Sequence, residues 1–134
     1  MQYLLLIYHN EEQWENLPEP EKQKCYEGYR ELRLDLEAKE KFKGANPLQP
    51  TSTATTVRLC NGKKLVTDGP FAETKEQLAG YILVEARDQD DASAIAARIP
   101  SAKMGSIEVR PVRTPPRLCE FEPAEKYSVR GPGW

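Results

Sequence analysis

Residues 53–67 read TATTVRLCNGKKLVT, a pattern typical of two β-strands joined by a tight turn. Branched side chains, which favour strands, are frequent on both sides of Asn61-Gly62. A two-residue type I′ turn needs positive φ at both central positions, and asparagine and glycine adopt that conformation most readily. The sequence therefore predicts a β-hairpin over these residues.

The segment before the hairpin predicts a strand and a long helix. Residues 2–8, QYLLLIY, are rich in aromatic and branched side chains and suit a central strand. Residues 20–39 predict one amphipathic helix, because apolar side chains recur there at spacings of three and four. The residues on this face are Cys25, Tyr29, Leu32 and Leu36. Gly44 is placed to stop the helix, and Pro47 and Pro50 predict an extended or looped segment after it.

The segment after the hairpin predicts a second strand, helix and strand. Residues 80–86 form an apolar run typical of a strand. Asp88 or Asp90 is suited to cap a helix that ends at Pro100. Residues 107–112 alternate apolar and polar side chains as a half-buried strand does.

The order of these elements predicts an α+β, ferredoxin-like fold. Two β-α-β halves with an inserted hairpin (βαββαβ with inserted hairpin) place both helices on one face of the sheet. Within residues 1–112 no further segment is long and apolar enough to cover the other face. We therefore expect a homodimer in which two sheets pair face to face, as a dimeric α+β barrel.

The composition divides the chain into a domain at residues 1–112 and a Pro/Gly-rich extension at residues 113–134. The extension has large apolar side chains at Leu118, Phe121, Tyr127 and Trp134. Two alternatives stay open: the extension packs on its own subunit or on the dimer partner, or it is mobile.

Charge and cysteine content exclude several classes of partner. The 19 basic and 21 acidic residues give a net charge of −2, which supplies no electrostatic reason to bind nucleic acid or an anionic membrane. The three cysteines are widely spaced and contain no C-x-x-C pair, so neither a disulfide framework nor a zinc site is expected. The N-terminal run lacks the basic start of a signal peptide, and we expect a cytoplasmic protein.

Residues 67–81, TDGPFAETKEQLAGY, resemble the signature of the DGPF, or YCII-related, proteins. Residues 3–8, 48–58 and 97–111 agree with the same family, and the resemblance ends near Arg113. The resemblance implies a dimeric α+β barrel of ferredoxin-like fold. It also implies two functional associations: small-molecule enzymes with a His and Asp pair in a cleft, and genes beside extracytoplasmic-function sigma factors.

The loop that carries the signature is the first candidate site. Asp68 and Glu73 would place two carboxylates at the mouth of a barrel for general acid–base catalysis. Gly69 and Pro70 would fix the backbone, and Phe71 would exclude water. The alternative is structural, because Asp-Gly-Pro is also favourable turn chemistry and a phenylalanine can simply fill a core.

Four other side chains are candidates for the same cleft. His9 is the single histidine of the chain, and imidazole is the natural base near neutral pH. Tyr8, Tyr81 and Arg58 lie on predicted strands and would donate hydrogen bonds to a small acidic or aromatic ligand. The alternative for all four is ordinary packing or surface exposure.

The sequence thus favours a small-molecule-binding or cofactor-independent enzyme-like domain with its cleft at the Asp68–Glu73 loop. No metal is expected, because one histidine with scattered carboxylates is a poor ligand set. No cofactor is expected either, since no glycine-rich phosphate loop is present. The alternatives are a non-enzymatic interaction module that contacts a sigma factor through the extension, and a structural dimer without a ligand.

Overall fold

The computed structural model describes residues 1–113. The elements are β1 (Gln2–His9), α1 (Glu11–Glu15), α2 (Glu19–Ala38), β2 (Phe42–Pro47), β3 (Thr55–Cys60), β4 (Lys63–Asp68), β5 (Gln77–Glu85), α3 (Gln89–Ala97) and β6 (Ser106–Pro111). Short 3-10 turns lie at Thr51–Thr53 and Pro100–Lys103. The predicted α+β class is confirmed, since the helices accompany antiparallel sheets.

Four strands form the main sheet in the order β2-β5-β1-β6, and every neighbouring pair is antiparallel. Strand β1 is central, with Leu5 opposite Ile82 of β5 and Val109 of β6. The two partners of β1 therefore come from the second half of the described chain.

The core lies between one face of this sheet and helices α2 and α3. Side chains alternate along β1, so Tyr3, Leu5 and Ile7 are buried while the residues between them are half-buried. The same cluster includes Leu32 and Leu36 of α2 and the buried residues of α3. Of the two predicted caps, Asp88 is the N-cap of α3, and its side chain accepts a hydrogen bond from the backbone N–H of Asp91 at 2.8 Å.

The opposite face of the sheet is defined here as the open face. The strand register places on it Leu4, Leu6, Tyr8, Leu78, Tyr81 and Leu83. Five of these side chains are half-buried and Leu78 is 36% exposed. Both helices of the core lie on the other side.

The predicted hairpin is confirmed, with φ of 51° at Asn61 and 78° at Gly62. Strands β3 and β4 nevertheless pair only with each other and form a separate two-stranded sheet. The edge strand of the main sheet is instead β2, in the segment predicted to be extended or looped. Its sequence, FKGANP, lacks the branched side chains that signal a strand, and pairing with β5 decides its conformation.

Helix α2 ends at Ala38, so the prediction that Gly44 stops it is wrong. Glu40 adopts the left-handed conformation, with φ of 58°. The Glu40 N–H donates to the Glu37 carbonyl at 3.0 Å, and the Lys41 N–H donates to the Leu36 carbonyl at 2.8 Å. These two bonds form a Schellman motif with glutamate where glycine is usual.

No helix within residues 1–113 is long and apolar enough to span a bilayer. Nearly all of the predicted extension, and with it the predicted contact of that extension with a sigma factor, lies outside the described residues.

Candidate functional site

A cleft lies between helices α1 and α2 on one side and strands β2 and β5 on the other. Its volume is about 950 Å³. The walls are mainly apolar and include Trp14, Tyr26, Tyr29, Phe42 and Leu48. The cleft therefore extends from the core to solvent, beside the edge strand β2.

Helix α1 forms one end of the cleft and is held by side-chain hydrogen bonds. The Asn10 side chain accepts from the Gln13 N–H at 2.9 Å and so caps the helix. Its amide also donates to the Lys75 carbonyl at 3.2 Å, in the loop before β5. The Glu11 carboxylate accepts from the Thr51 N–H and hydroxyl, both at 2.8 Å. These contacts tie α1 to the segments that follow β2 and precede β5.

A group of aromatic rings lines the α1 end. The His9 ring stacks on Trp14 with a centroid distance of 5.5 Å and an interplanar angle of 11°. Trp14 in turn meets Tyr26 edge-on, with centroids 5.8 Å apart. Stacked and edge-on arrangements both suit the charge distribution of aromatic rings. The group offers flat apolar surface to a planar ligand.

His9 is the titratable group of most interest in the cleft. It follows Tyr3, Leu5 and Ile7 in the alternation of β1, so it faces the helices. Its Nδ1 atom is buried and has no hydrogen-bond partner within the described residues. Burial lowers the pKa of His9 below its ordinary value of 6.5, against smaller opposing effects of Glu11 and Glu76. The imidazole is therefore neutral at pH 7, with one N–H to donate and one lone pair to accept.

Tyr29 and Arg33 line the cleft along α2. The Tyr29 hydroxyl and the buried Ser101 hydroxyl are hydrogen-bonded at 2.7 Å, and burial raises the pKa of Tyr29. The Arg33 guanidinium lies 4.6 Å from the Phe42 ring centroid and also donates to Glu37 at 2.7 Å. Both polar groups are therefore already bonded within the chain.

Two glycines permit the close packing around His9 and the edge strand. A Cβ on Gly80 would lie 2.8 Å from the Asn46 carbonyl oxygen, so glycine lets β2 approach β5. A Cβ on Gly105 would collide with the Tyr8 carbonyl oxygen and lie 3.1 Å from the His9 Cα. Substitution at either glycine would displace backbone.

The structure separates the residues that were predicted to share one site. His9 lines the cleft, whereas the Tyr81 side chain lies on the open face by the strand register, and its hydroxyl accepts from the Asn46 side chain at 2.8 Å. Tyr8 points to the open face, because it alternates with His9. The predicted role of Tyr8 in binding stays a prediction.

The signature loop lies apart from the cleft walls. Asp68, Pro70, Phe71 and Glu73 are exposed, Gly69 is half-buried, and none of the five lines the cleft. Phe71 is 77% exposed, and the Arg58 guanidinium lies 5.9 Å from its ring centroid. The predicted catalytic and binding roles of these residues are untested, and within one chain they are not assembled with His9.

Sequence reasoning missed most of the cleft, because its walls come from segments far apart in the chain. Trp14 gave one signal, as a large aromatic residue within a polar stretch. Asn10 gave another, since Asn followed by Glu-Glu is a favourable helix start. Within residues 1–113 no three His, Cys, Asp or Glu side chains cluster as a metal site would require.

The fold and the cleft define a small antiparallel α+β domain with an apolar, aromatic-lined cavity beside its edge strand. The chain belongs to the YCII-related domain family, whose family model matches residues 1–116. An uncharacterized protein of Rhizobium meliloti (strain 1021) is 42% identical over 80 residues, covering 58% of this chain. The match spans 60% of the length of that curated relative.

Proposed function

We propose that the domain binds a small, mainly apolar aromatic molecule in the cleft between α1, α2 and β2. The observation that carries this proposal is a mainly apolar cleft of about 950 Å³ whose walls include the rings of Trp14, Tyr26, Tyr29 and Phe42. The volume falls within the range of roughly 300–1,000 Å³ typical of small-molecule sites.

The enzyme-like form of this proposal assigns acid–base chemistry to His9. A neutral imidazole can take a proton from a bound ligand. Glu11 and Glu76 favour the imidazolium that would result, because both carboxylates act to raise the pKa of His9. Asp68 and Glu73 are less suited to this role in one chain, since both are solvent-exposed and outside the cleft walls.

The test uses Trp14 as a fluorescent reporter of the cleft. A Trp134→Phe background leaves Trp14 as the single tryptophan of the chain. We expect indole, naphthalene and 1-naphthoate to change Trp14 emission saturably. Filling the cleft with Ala45→Phe should weaken the binding at least tenfold, whereas Leu34→Phe, at an exposed position of α2, should not. Equal binding by the parent and Ala45→Phe would refute the site.

We also propose that the fold is ferredoxin-like and that the domain forms a homodimer through the open face. The order β2-β5-β1-β6 with both core helices on one face supports the fold, with the hairpin inserted between β2 and β5. The half-buried apolar side chains of the open face support the dimer. Native mass spectrometry is expected to give the mass of two chains, and a monomer at micromolar concentration would refute it.

A further inference from the structure

Helix α2 presents a row of basic side chains beside the cleft. Lys22, Tyr26, Arg30 and Arg33 follow one another at spacings of four, four and three, so they lie along one side of the helix. Tyr26, Arg30 and Arg33 border the cleft, and the charged residues that α2 contributes to its walls are both arginines. Positive charge therefore runs along this wall of an otherwise mainly apolar cleft.

The two arginines differ in their contacts. Arg33 donates to Glu37 at 2.7 Å, and its guanidinium lies 4.6 Å from the Phe42 ring centroid. Arg30 forms no salt bridge and no side-chain hydrogen bond with any residue of the described range 1–113, and its side chain is exposed. Two like charges three residues apart on a helix are slightly destabilising. Helix stability therefore gives no reason for a second arginine at this position.

The carboxylates of α1 are less available to a ligand than Arg30 is. Glu11 is already engaged by the two hydrogen bonds that hold α1 in place. The Lys22 ammonium donates to the Glu15 carbonyl at 3.4 Å, so a cation lies close to that residue. Glu12 is exposed and also borders a second pocket. A negatively charged ligand group can therefore pair with Arg30 without displacing a contact within residues 1–113.

The aromatic walls lie next to this arginine. Trp14 stacks on His9 and meets Tyr26 edge-on, with the Trp14 and Tyr26 centroids 5.8 Å apart. Tyr26 belongs both to this group of rings and to the basic row, and Arg30 is one helical turn further along. Residues four apart on a helix have Cβ atoms roughly 5–6 Å from each other. A ring packed on Tyr26 therefore brings its substituent within reach of Arg30.

We propose that the cleft takes a planar aromatic carboxylate, with its ring against Trp14 and Tyr26 and its carboxylate paired with Arg30. The planar guanidinium matches a carboxylate with two parallel hydrogen bonds. A neutral aromatic molecule would leave Arg30 unpaired by the ligand, and an aromatic amine would bring a second positive charge beside it. This inference rests on the function proposed above and names the chemical class of its ligand.

Three probes with one ring system and different charges test the proposal. They are 1-naphthoate, its neutral isostere 1-naphthamide and the cation 1-naphthylmethylamine, titrated at pH 7.5 by isothermal calorimetry. The parent should bind 1-naphthoate about fivefold more tightly than 1-naphthamide, because only the carboxylate forms charge-assisted hydrogen bonds with Arg30. Arg30→Gln should reduce this preference to less than about twofold and leave the 1-naphthamide affinity unchanged.

Two further variants separate a direct contact from a general effect of charge. Arg87→Gln removes the same charge at an exposed position that does not border the cleft, and it should keep the parent's preference for 1-naphthoate. Arg30→Lys keeps the charge but loses the planar fork, so its preference should lie between those of the parent and Arg30→Gln. Circular dichroism confirms that each variant is folded.

The outcomes distinguish this inference from the proposed function. Equal affinities of the parent for 1-naphthoate and 1-naphthamide, or a preference that survives Arg30→Gln, would overturn the Arg30 contact and leave the aromatic cleft intact. Tightest binding of 1-naphthylmethylamine would overturn it in favour of a cationic ligand. Absence of binding by all three probes, or 1-naphthamide binding that Ala45→Phe does not weaken, would overturn the cleft and this inference together.

Discussion

The Glu11 carboxylate accepts hydrogen bonds from both the backbone N–H and the side-chain hydroxyl of Thr51, each at 2.8 Å. Glu11 stands in the first turn of α1, where a negative charge is also favoured by the helix dipole. The pair fastens α1, and with it Trp14, to the chain that follows the edge strand. The Glu11 carboxylate therefore holds this end of the cleft together with the Asn10 amide, which donates to the Lys75 carbonyl.

Replacing Glu11 by alanine should loosen this end of the cleft. Hydrogen bonds to charged groups contribute about 1.5–3 kcal/mol, and partial exposure reduces the expected loss to about 1–2 kcal/mol. Urea unfolding measures that loss, and Trp14 emission should shift to longer wavelength. Thr51→Ser keeps both donors and should lie within about 0.5 kcal/mol of the parent. An unchanged Glu11→Ala protein would show that the pair does not hold the cleft.

The depressed pKa of His9 predicts that stability falls on mild acidification. Burial holds the folded-state pKa below the ordinary value of 6.5. Between those two values the unfolded chain binds more protons, so the free energy of unfolding decreases as pH falls through 6.5 toward the folded-state pKa. Urea titrations at pH 7.5 and pH 5.5 measure the decrease. His9→Gln, which has no imidazole, should show a smaller decrease in the free energy of unfolding. A decrease equal to that of the parent would contradict the assignment of this effect to His9.

Gly105→Ala should destabilise the fold by about 2–3 kcal/mol, because its Cβ would collide with the Tyr8 carbonyl oxygen. Gly44→Ala is the matched control, since nothing lies within 4 Å of a Cβ at that position. The control should change stability by less than about 0.5 kcal/mol. Thermal unfolding of the two variants compares them directly, and similar melting temperatures would refute the close approach.

Glu40→Gly should stabilise the protein by about 1 kcal/mol, because glycine adopts a φ near 58° without the steric cost that a Cβ incurs. Glu31→Gly is the control, at an exposed position inside α2. There glycine should cost about 1 kcal/mol relative to a good helix former. In urea unfolding we expect Glu40→Gly to raise the free energy of unfolding and Glu31→Gly to lower it. Destabilisation by both variants would contradict the helix end described above.

Local chemistry explains which elements the sequence could predict. Asn61-Gly62 sets a turn that few other dipeptides can form, and Asp88 caps α3 through its own side chain. Strand β2 was not predicted as a strand, because Gly44 and Pro47 are typical of loops and only pairing with β5 makes the segment a strand. Helix α2 was predicted over residues 20–39 and spans Glu19–Ala38, but Gly44 was wrongly assigned as the residue that stops it, because a left-handed Glu40 leaves no signal in the sequence.

The cleft could not be predicted from the sequence, for a different reason. Its walls join residues from β1, α1, α2 and β2, and only the packing of α2 over the sheet edge brings them together. His9 was chosen as a candidate for its chemistry and lines the cleft. Tyr81 was chosen for its strand position, and its side chain lies on the open face instead. Trp14 was not chosen, although it stacks on His9.

The central position of β1 has a consequence for synthesis on the ribosome. Its two neighbours are β5, which begins at Gln77, and β6, which begins at Ser106. At translation rates of about 5–20 residues per second, the apolar strand emerges seconds before its first partner exists. The Asn61-Gly62 hairpin, by contrast, can close within microseconds of emerging. The nascent chain would therefore present an unpaired hydrophobic strand to chaperones until β5 has been synthesised.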